Sequence, residues 1–243
     1  MISDQDIKSH YLKYFYTLKA STSELKATAY KIRYQVYYEE ENMISSQNVS
    51  ENFETDGWDS DAVHSLLFHR PSDQPIGVVR LIPLGQNRNK RLPIEEHYKK
   101  PFDFGATHIS RLNEGKTGEI SRMAILSSFR RRPTDRNYAL HSSEDDGSMG
   151  GRRFPINYMP MCLAFAAINL MIEAYLDYGV ALMEPRLAKL LVRYGVVLKQ
   201  IGQPFDYFGL RAPYLIFPEQ TYRNLSGDFR CLFDTIREQL SSS

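Results

Sequence analysis

Cysteine is scarce: Cys162 and Cys231 are the only two in 243 residues. That excludes a disulfide framework, and each reads as a reduced core thiol of a cytosolic protein. No basic stretch followed by an apolar run opens the chain, so no secretory signal is expected. The six histidines are scattered, with no His-x-x-x-His and no Cys-x-x-Cys, so no metal centre is expected. A phosphate-binding lysine loop, Gly-x-Gly-x-x-Gly and Gly-x-Ser-x-Gly are all missing, which removes support for nucleotide-loop and serine-hydrolase chemistry. A formal charge of +1 leaves no general surplus for nucleic acid. The one long apolar run, Tyr158 to Tyr178, contains Pro160 and the polar residues Asn169, Glu173 and Asp177, so it reads as a buried helix rather than a transmembrane segment.

What is present suits one α/β domain spanning 1–243. Hydrophobic residues make up 42% and charged residues 24%, enough for a sizeable core, and a 12% aromatic share with 16 Tyr suits an apolar pocket. Charge is unevenly spread. Residues 39 to 61 hold eight acids (Glu39, Glu40, Glu41, Glu51, Glu54, Asp56, Asp59, Asp61) and no Lys or Arg, whereas Arg130, Arg131 and Arg132 stand together.

Spacing predicts a helix over 4–20, from Ile7, Tyr11, Tyr14, Phe15 and Leu18. A second opens at the capping box Ser21–Glu24 and buries Leu25, Ala29, Ile32 and Val36. Tyr30, Arg33 and Tyr37 form the stripe beside that one, and periodicity alone favours an Arg33 that lays its stem on the core and its head in water. The acidic stretch reads as a loop. Strands follow at Val63–His69 and Ile76–Ile82, joined by a turn rich in Pro, Ser and Asp, with Arg80 on the face of Ile76, Val78 and Ile82. An arginine inside a strand needs a carboxylate, and Asp56, Asp59 and Glu119 are the candidates. Pro93 starts a helix, and residues 101 to 118 read as a loop.

Glu119 begins a strand on which alternation places Glu119, Ser121, Met123 and Ile125 on one face and Ile120, Arg122, Ala124 and Leu126 on the other. That strand runs into Ser128, Phe129 and the three arginines, a turn able to offer donors to a phosphate or an acidic partner. Residues 134 to 154 have no apolar period and read as a mobile insertion. The long helix follows, then a strand at Val180–Met183, a helix from Glu184 to Gly195, strands near 196–201 and 214–217, and one closing helix from Pro218 to Leu240.

The candidate chemistry lies in charged residues spread over several elements. Arg33-x-x-x-Tyr37, Asp56-x-x-Asp59, Val79-Arg80-Leu81-Ile82-Pro83 and Glu119-Ile-Ser-Arg122 resemble, in order, the signature of the acyl-homoserine-lactone (autoinducer) synthases, enzymes of the GNAT fold that use acyl carrier protein. Ile32-Arg-Tyr-Gln-Val-Tyr37, Leu92-Pro-Ile-Glu-Glu-His97, Ser128-Phe-Arg-Arg-Arg132, Met183-Glu-Pro-Arg-Leu187 and Gly209-Leu-Arg-Ala-Pro213 look closer to the acyltransferases of the PEP-CTERM/exosortase system, which are similar to long-chain N-acyl amino acid synthases. The resemblance spans roughly residues 22 to 217. It implies a GNAT-like domain whose central twisted sheet is mixed but mostly antiparallel and flanked by helices. The implied reaction moves a long-chain acyl group from the 4'-phosphopantetheine arm of acyl carrier protein to an amino acid, with no permanently bound cofactor. Acyl-CoA is a weaker donor reading, since the glycine-rich pyrophosphate loop of acetyl-CoA enzymes is replaced by arginines.

The autoinducer synthases carry a Trp in the loop after the arginine, where Met43 stands here, and a Phe where Tyr37 stands. Both differences favour an N-acyl amino acid over a lactone; the lactone synthase and a non-catalytic binder of acyl chains or carrier protein are the alternatives. On this reading Glu119 and Arg122 are catalytic candidates, with Glu184 a second acid/base candidate. Arg33, Tyr37, Asp56, Trp58, Asp59, Arg80 and Ser121 hold substrate or fix the site, and Asp56 and Asp59 alternatively hold the ammonium. Ser128, Phe129, Arg130, Arg131 and Arg132 receive the carrier protein and its phosphorylated arm. A cytoplasmic enzyme that touches a membrane surface only to release product completes the expectation.

Overall fold

The structure, a computed structural model, describes residues 4–44, 49–84, 91–100, 102, 116–130 and 158–243. In chain order the elements are α1 (Asp4–Tyr14), β1 (Phe15–Lys19), α2 (Ser23–Arg33) running into a π-helical segment (Tyr34–Glu40), β2 (Val49–Ser50), β3 (Phe53–Glu54), β4 (Val63–His69), β5 (Gln74–Pro83) and α3 (Pro93–His97). They continue as β6 (Thr117–Ile125), α4 (Ser127–Arg130), α5 (Met159–Glu173), β7 (Tyr178–Met183), α6 (Pro185–Arg193), β8 (Leu198–Gln200), β9 (Phe205–Asp206), β10 (Leu210–Ile216), α7 (Pro218–Asn224) and α8 (Gly227–Ser241). The main sheet is ordered β1-β4-β5-β6-β7-β10-β8, with β9 also on β10. Every pairing is antiparallel except β6 with β7, so the sheet is mixed but mostly antiparallel.

Two layers cover the sheet. The nearly all-apolar α5 packs on β4, β5 and β6, and α8 packs behind it, with Phe165 and Phe233 edge to face at 5.3 Å. On the other face α2 lies over β4, β5 and β6, its Ala29 and Ile32 meeting Val78 and Ala124. The close approach of α5 explains Gly179: a Cβ there would stand 2.5 Å from the Met171 methyl. Among the described residues no helix is long and apolar enough to cross a membrane.

Several sequence expectations need correction. The first helix stops at Tyr14, and Phe15–Lys19 is an edge strand on β4, where partners across the sheet override a helical spacing that continues through it. Thr22, not Ser21, caps α2; its hydroxyl accepts from Leu25 N–H at 3.3 Å. The stretch 39–61 is not simply loop, since it holds the end of the π-helical segment, the β2–β3 hairpin and a 3-10 turn at Asp59–Asp61. The closing helix is two, broken at Leu225-Ser226 and restarted at Gly227, whose φ of 52° only glycine adopts freely. Asp177 lies beyond α5, and Asn169 is buried within it, bonded to Phe233 O and Arg237. Cys162 is buried as expected, but Cys231 is exposed. Residues 134–154 and most of 101–115 lie outside the described residues.

Candidate active site

Three arginines and three carboxylates from separate elements meet on the α2 face of the sheet. Arg33, at the end of α2, is wholly buried, which overturns the snorkelling expectation. Its Nε donates to Glu54, and its other two nitrogens grip Asp59 in a fork of 2.6 and 2.9 Å. Arg80 on β5, also wholly buried, donates to Asp56 at 2.6 Å, Asp59 at 2.9 Å and Ser121 Oγ at 3.1 Å. Arg122 closes the ring through Glu54 and Asp56, both at 3.1 Å. Three positive charges therefore meet three negative ones, a balance that makes burial tolerable.

Asp59 is the hub. Burial works against its charge, yet the bonds from His64 and Arg33 and the nearby guanidinium charges hold its carboxyl well below the usual carboxylate range. His64, buried beside it, is pushed down by desolvation. The loop that carries these acids is fixed by its own bonds, Asp56 N–H to Asp59 at 2.8 Å and Trp58 N–H to Asp56 at 3.0 Å, while the Trp58 indole donates to Arg91 O at 3.2 Å.

β6 reaches this network through a bulge. Its register on β5 slips between Val78 and Arg80, and Arg122 takes a left-handed φ of 51°. The expected alternation fails from there on: Ser121 and Arg122 both meet the charged network, Ala124 joins the α2-side core and Ile125 the α5-side core. Glu119 and Arg122 thus share a face instead of opposing each other. The π-helical segment after α2 brings Tyr37 across, its hydroxyl donating to Met123 O at 2.9 Å and its ring under Arg122 at 5.8 Å.

Glu119 lies apart from the ion pairs. Of the three carboxylates considered for Arg80, Asp56 and Asp59 pair with it directly; Glu119 instead accepts from Ile94 N–H, in the first turn of α3, at 2.7 Å. Burial pushes its carboxyl up to about 8, against the opposing pull of Ile94 N–H, Arg80 and Arg122. It also occupies a topological break. The parallel β6–β7 ladder runs through Thr117–Tyr178, Gly118–Gly179 and Glu119–Val180 and then ends, while β7 continues along β10 to the pair of Met183 with Ala212. Beyond Glu119 the two strands part and leave unpaired backbone edges facing each other.

The other expected site residues fall differently. Glu184 is exposed at the start of α6, makes no side-chain cap bond and is not brought to the network. Ser128 is exposed and Phe129 half-buried on the short α4, where the Ser127 N–H donates to Glu40 at 3.0 Å. Arg131, Arg132 and the side chain of Arg130 lie outside the described residues. Glu54 and His64 were not singled out from sequence. The Glu54-x-Asp56 spacing, which on a strand puts both carboxylates on one side, was the available signal. Among the described residues no group of three or more His, Cys, Asp or Glu is arranged to hold a metal ion.

Comparison with known proteins agrees with this architecture. The acetyltransferase (GNAT) domain family matches residues 32–138. Among solved structures the chain is similar to the AHL synthase LasI, at 16% identity and a TM-score of 0.55 over 91% of this chain and 96% of that one. It is similar to BjaI, described as a CoA-dependent acyl-homoserine lactone synthase with SAM and isopentyl-CoA, at 15% identity and a TM-score of 0.56 over 92% and 89%. FeeM, an N-acyl amino acid synthase from uncultured soil microbes, matches at 13% identity and a TM-score of 0.53 over 88% and 96%. No curated protein matches the chain by sequence. At these identities the likeness is one of fold.

Proposed function

We propose that this protein is an N-acyltransferase that moves a long-chain acyl group from acyl carrier protein to the amine of an amino acid. The observation that carries the reading is Glu119, a buried carboxylate whose affinity for a proton is raised to about 8 at the point where β6 and β7 separate. A neutral amine attacks the thioester carbonyl carbon; the C–N bond forms and the C–S bond breaks. One amine proton passes to Glu119, directly or through water, and the departing sulfur takes up a proton to leave as the thiol. Backbone N–H groups on the open strand edges are suited to the developing oxyanion. The Arg33–Glu54–Asp59–Arg80–Asp56–Arg122 network holds the bulged strand in place, and Arg122 and Tyr37 wall the acceptor side.

The likeness of fold extends to an enzyme described as CoA-dependent and to enzymes described as lactone synthases, so product analysis is the test. Purified protein given a long-chain acyl-ACP and a mixture of amino acids should yield N-acyl amino acids by mass spectrometry. A lactone product, or dependence on an adenosyl compound, would replace this reading with a lactone synthase; preference for acyl-CoA would replace the donor.

The arginines after β6 are assigned to the donor on their sequence position. Carrier proteins are acidic, so a basic rim should steer their approach. Reversal of Arg130 and Arg131 to Glu should lower kcat/KM for acyl-ACP by ~10-fold or more at low salt and flatten its salt dependence. Turnover of acyl-CoA should fall less. Unchanged values at low and high salt would place the carrier protein elsewhere.

A further inference from the structure

We propose that Arg211 binds the carboxylate of the acceptor, which restricts the enzyme to amino acids over amines that lack that group. The assignment rests on the N-acyl transfer proposed above and names a residue outside the charged network. Arg211 stands on β10 one position beyond Ala212, the partner of Met183 at the last rung of the β7–β10 ladder. Alternation along β10 sets its direction: Ala212, Tyr214 and Ile216 enter the α5-side core, whereas Leu215 packs with Ile82 and Val180 on the opposite face. Arg211 therefore projects to the face that carries Arg80 and Glu119, flanking the gap between β6 and β7.

Its guanidinium lacks what the other arginines of this face have. Arg33, Arg80 and Arg122 are matched by Glu54, Asp56 and Asp59. Among the described residues Arg211 meets no carboxylate. Its Nε is buried with no hydrogen-bond partner, and its Nη2 reaches only the Met43 sulfur at 3.9 Å, a weak acceptor. The Tyr207 ring lies 6.0 Å from the guanidinium carbon. The charges of Arg122 and Glu119 also act on Tyr207, and those of Arg122 and Arg211 on Tyr37, so these side chains lie in one neighbourhood. A partly desolvated guanidinium with spare donors on the face that carries Glu119 is matched by one small molecule carrying both an amine and a carboxylate. The carboxylate would take the planar fork of Arg211 and leave the amine toward Glu119. Arg80 also has an unpartnered buried Nη2, but Asp56 and Asp59 already neutralise its charge.

The test compares each standard amino acid with its primary amide, using a long-chain acyl-ACP as donor, in wild type, Arg211→Gln and Arg211→Lys. The wild type should prefer the acid by ~10²-fold in kcat/KM. Arg211→Gln should raise KM for the acid by a similar factor with kcat less affected, leave the amide near its wild-type rate, and so erase the preference; Arg211→Lys should restore part of it. A wild type that uses acid and amide equally, or an Arg211→Gln enzyme that keeps the acid preference, overturns the assignment while leaving the transfer reading intact. Failure of the wild type to acylate either substrate overturns the transfer reading, and this assignment with it.

Discussion

Glu119→Gln is expected to lower turnover by ~10²-fold or more while the protein still melts cooperatively. The amide keeps the shape and can still accept from Ile94 N–H, which is 2.7 Å from the carboxylate in the native protein, but it cannot take the amine proton. The pH dependence separates this role from mere packing. A base whose carboxyl titrates near 8 makes wild-type kcat/KM rise through that pH, and the variant should lose that inflection. Stability should move in the opposite sense. Because burial raises the folded-state pKa above the unfolded one, wild-type stability attributable to this group is full below the unfolded value of about 4.3 and is lost as pH rises through about 8. Melting of Glu119→Gln should therefore gain on wild type between roughly pH 5 and pH 9. A variant with wild-type rates and an unchanged profile would shift proton acceptance to bulk water or to Glu184.

The sheet was legible where local pattern and final pairing agree. Val63–His69 and the core of Gln74–Pro83 alternate and are joined by a turn with suitable chemistry, so hairpin β4–β5 follows from sequence. The apolar α5 follows in the same way. Phe15–Lys19 did not, because Tyr11, Tyr14, Phe15 and Leu18 fit a helical stripe and only the β4 edge, some fifty residues away, makes a strand of them. The site was legible as a set of residue types but not as a wiring diagram. Arg33 finds Glu54 and Asp59 at sequence separations of 21 and 26, and no periodicity distinguishes a snorkelling arginine from one buried among distant carboxylates. Two-residue alternation likewise assumes an unbroken ladder, so the bulge at Arg122 reversed the predicted faces from that residue onward. Arg211 lay within a recognised motif, but its want of a carboxylate among the described residues shows only once the chain is folded.

Arg33→Met is expected to cost ~3–5 kcal/mol of stability, the loss characteristic of removing one side of a buried ion network. The methionine fills part of the stem's space, but Glu54 Oε2 keeps only the 3.4 Å contact from Arg122 Nε and Asp59 loses a two-bond fork, while both remain buried. What is left, Arg80 and Arg122 against three carboxylates, no longer balances. The deficit should depend on pH with a definite sign. In wild type the Asp59 carboxyl is held below its unfolded value, so its contribution is present above that value, about 3.9, and is lost as pH falls through the folded one. In the variant the depression is weaker, so Asp59 protonates at a higher pH than in wild type. The stability difference measured by denaturant unfolding should then be full from neutral pH down to about pH 4 and narrow only below it. Adding Glu54→Met should recover part of the loss, because the second substitution removes one of the carboxylates left without its partner. Turnover per folded molecule should change far less than in Glu119→Gln, since Arg33 is enclosed by the network and has no face toward the open edges of β6 and β7. A variant that unfolds like wild type yet cannot acylate would instead assign Arg33 to the substrate, and the balanced network would cease to be the scaffold that holds Glu119 and Arg122 on one face.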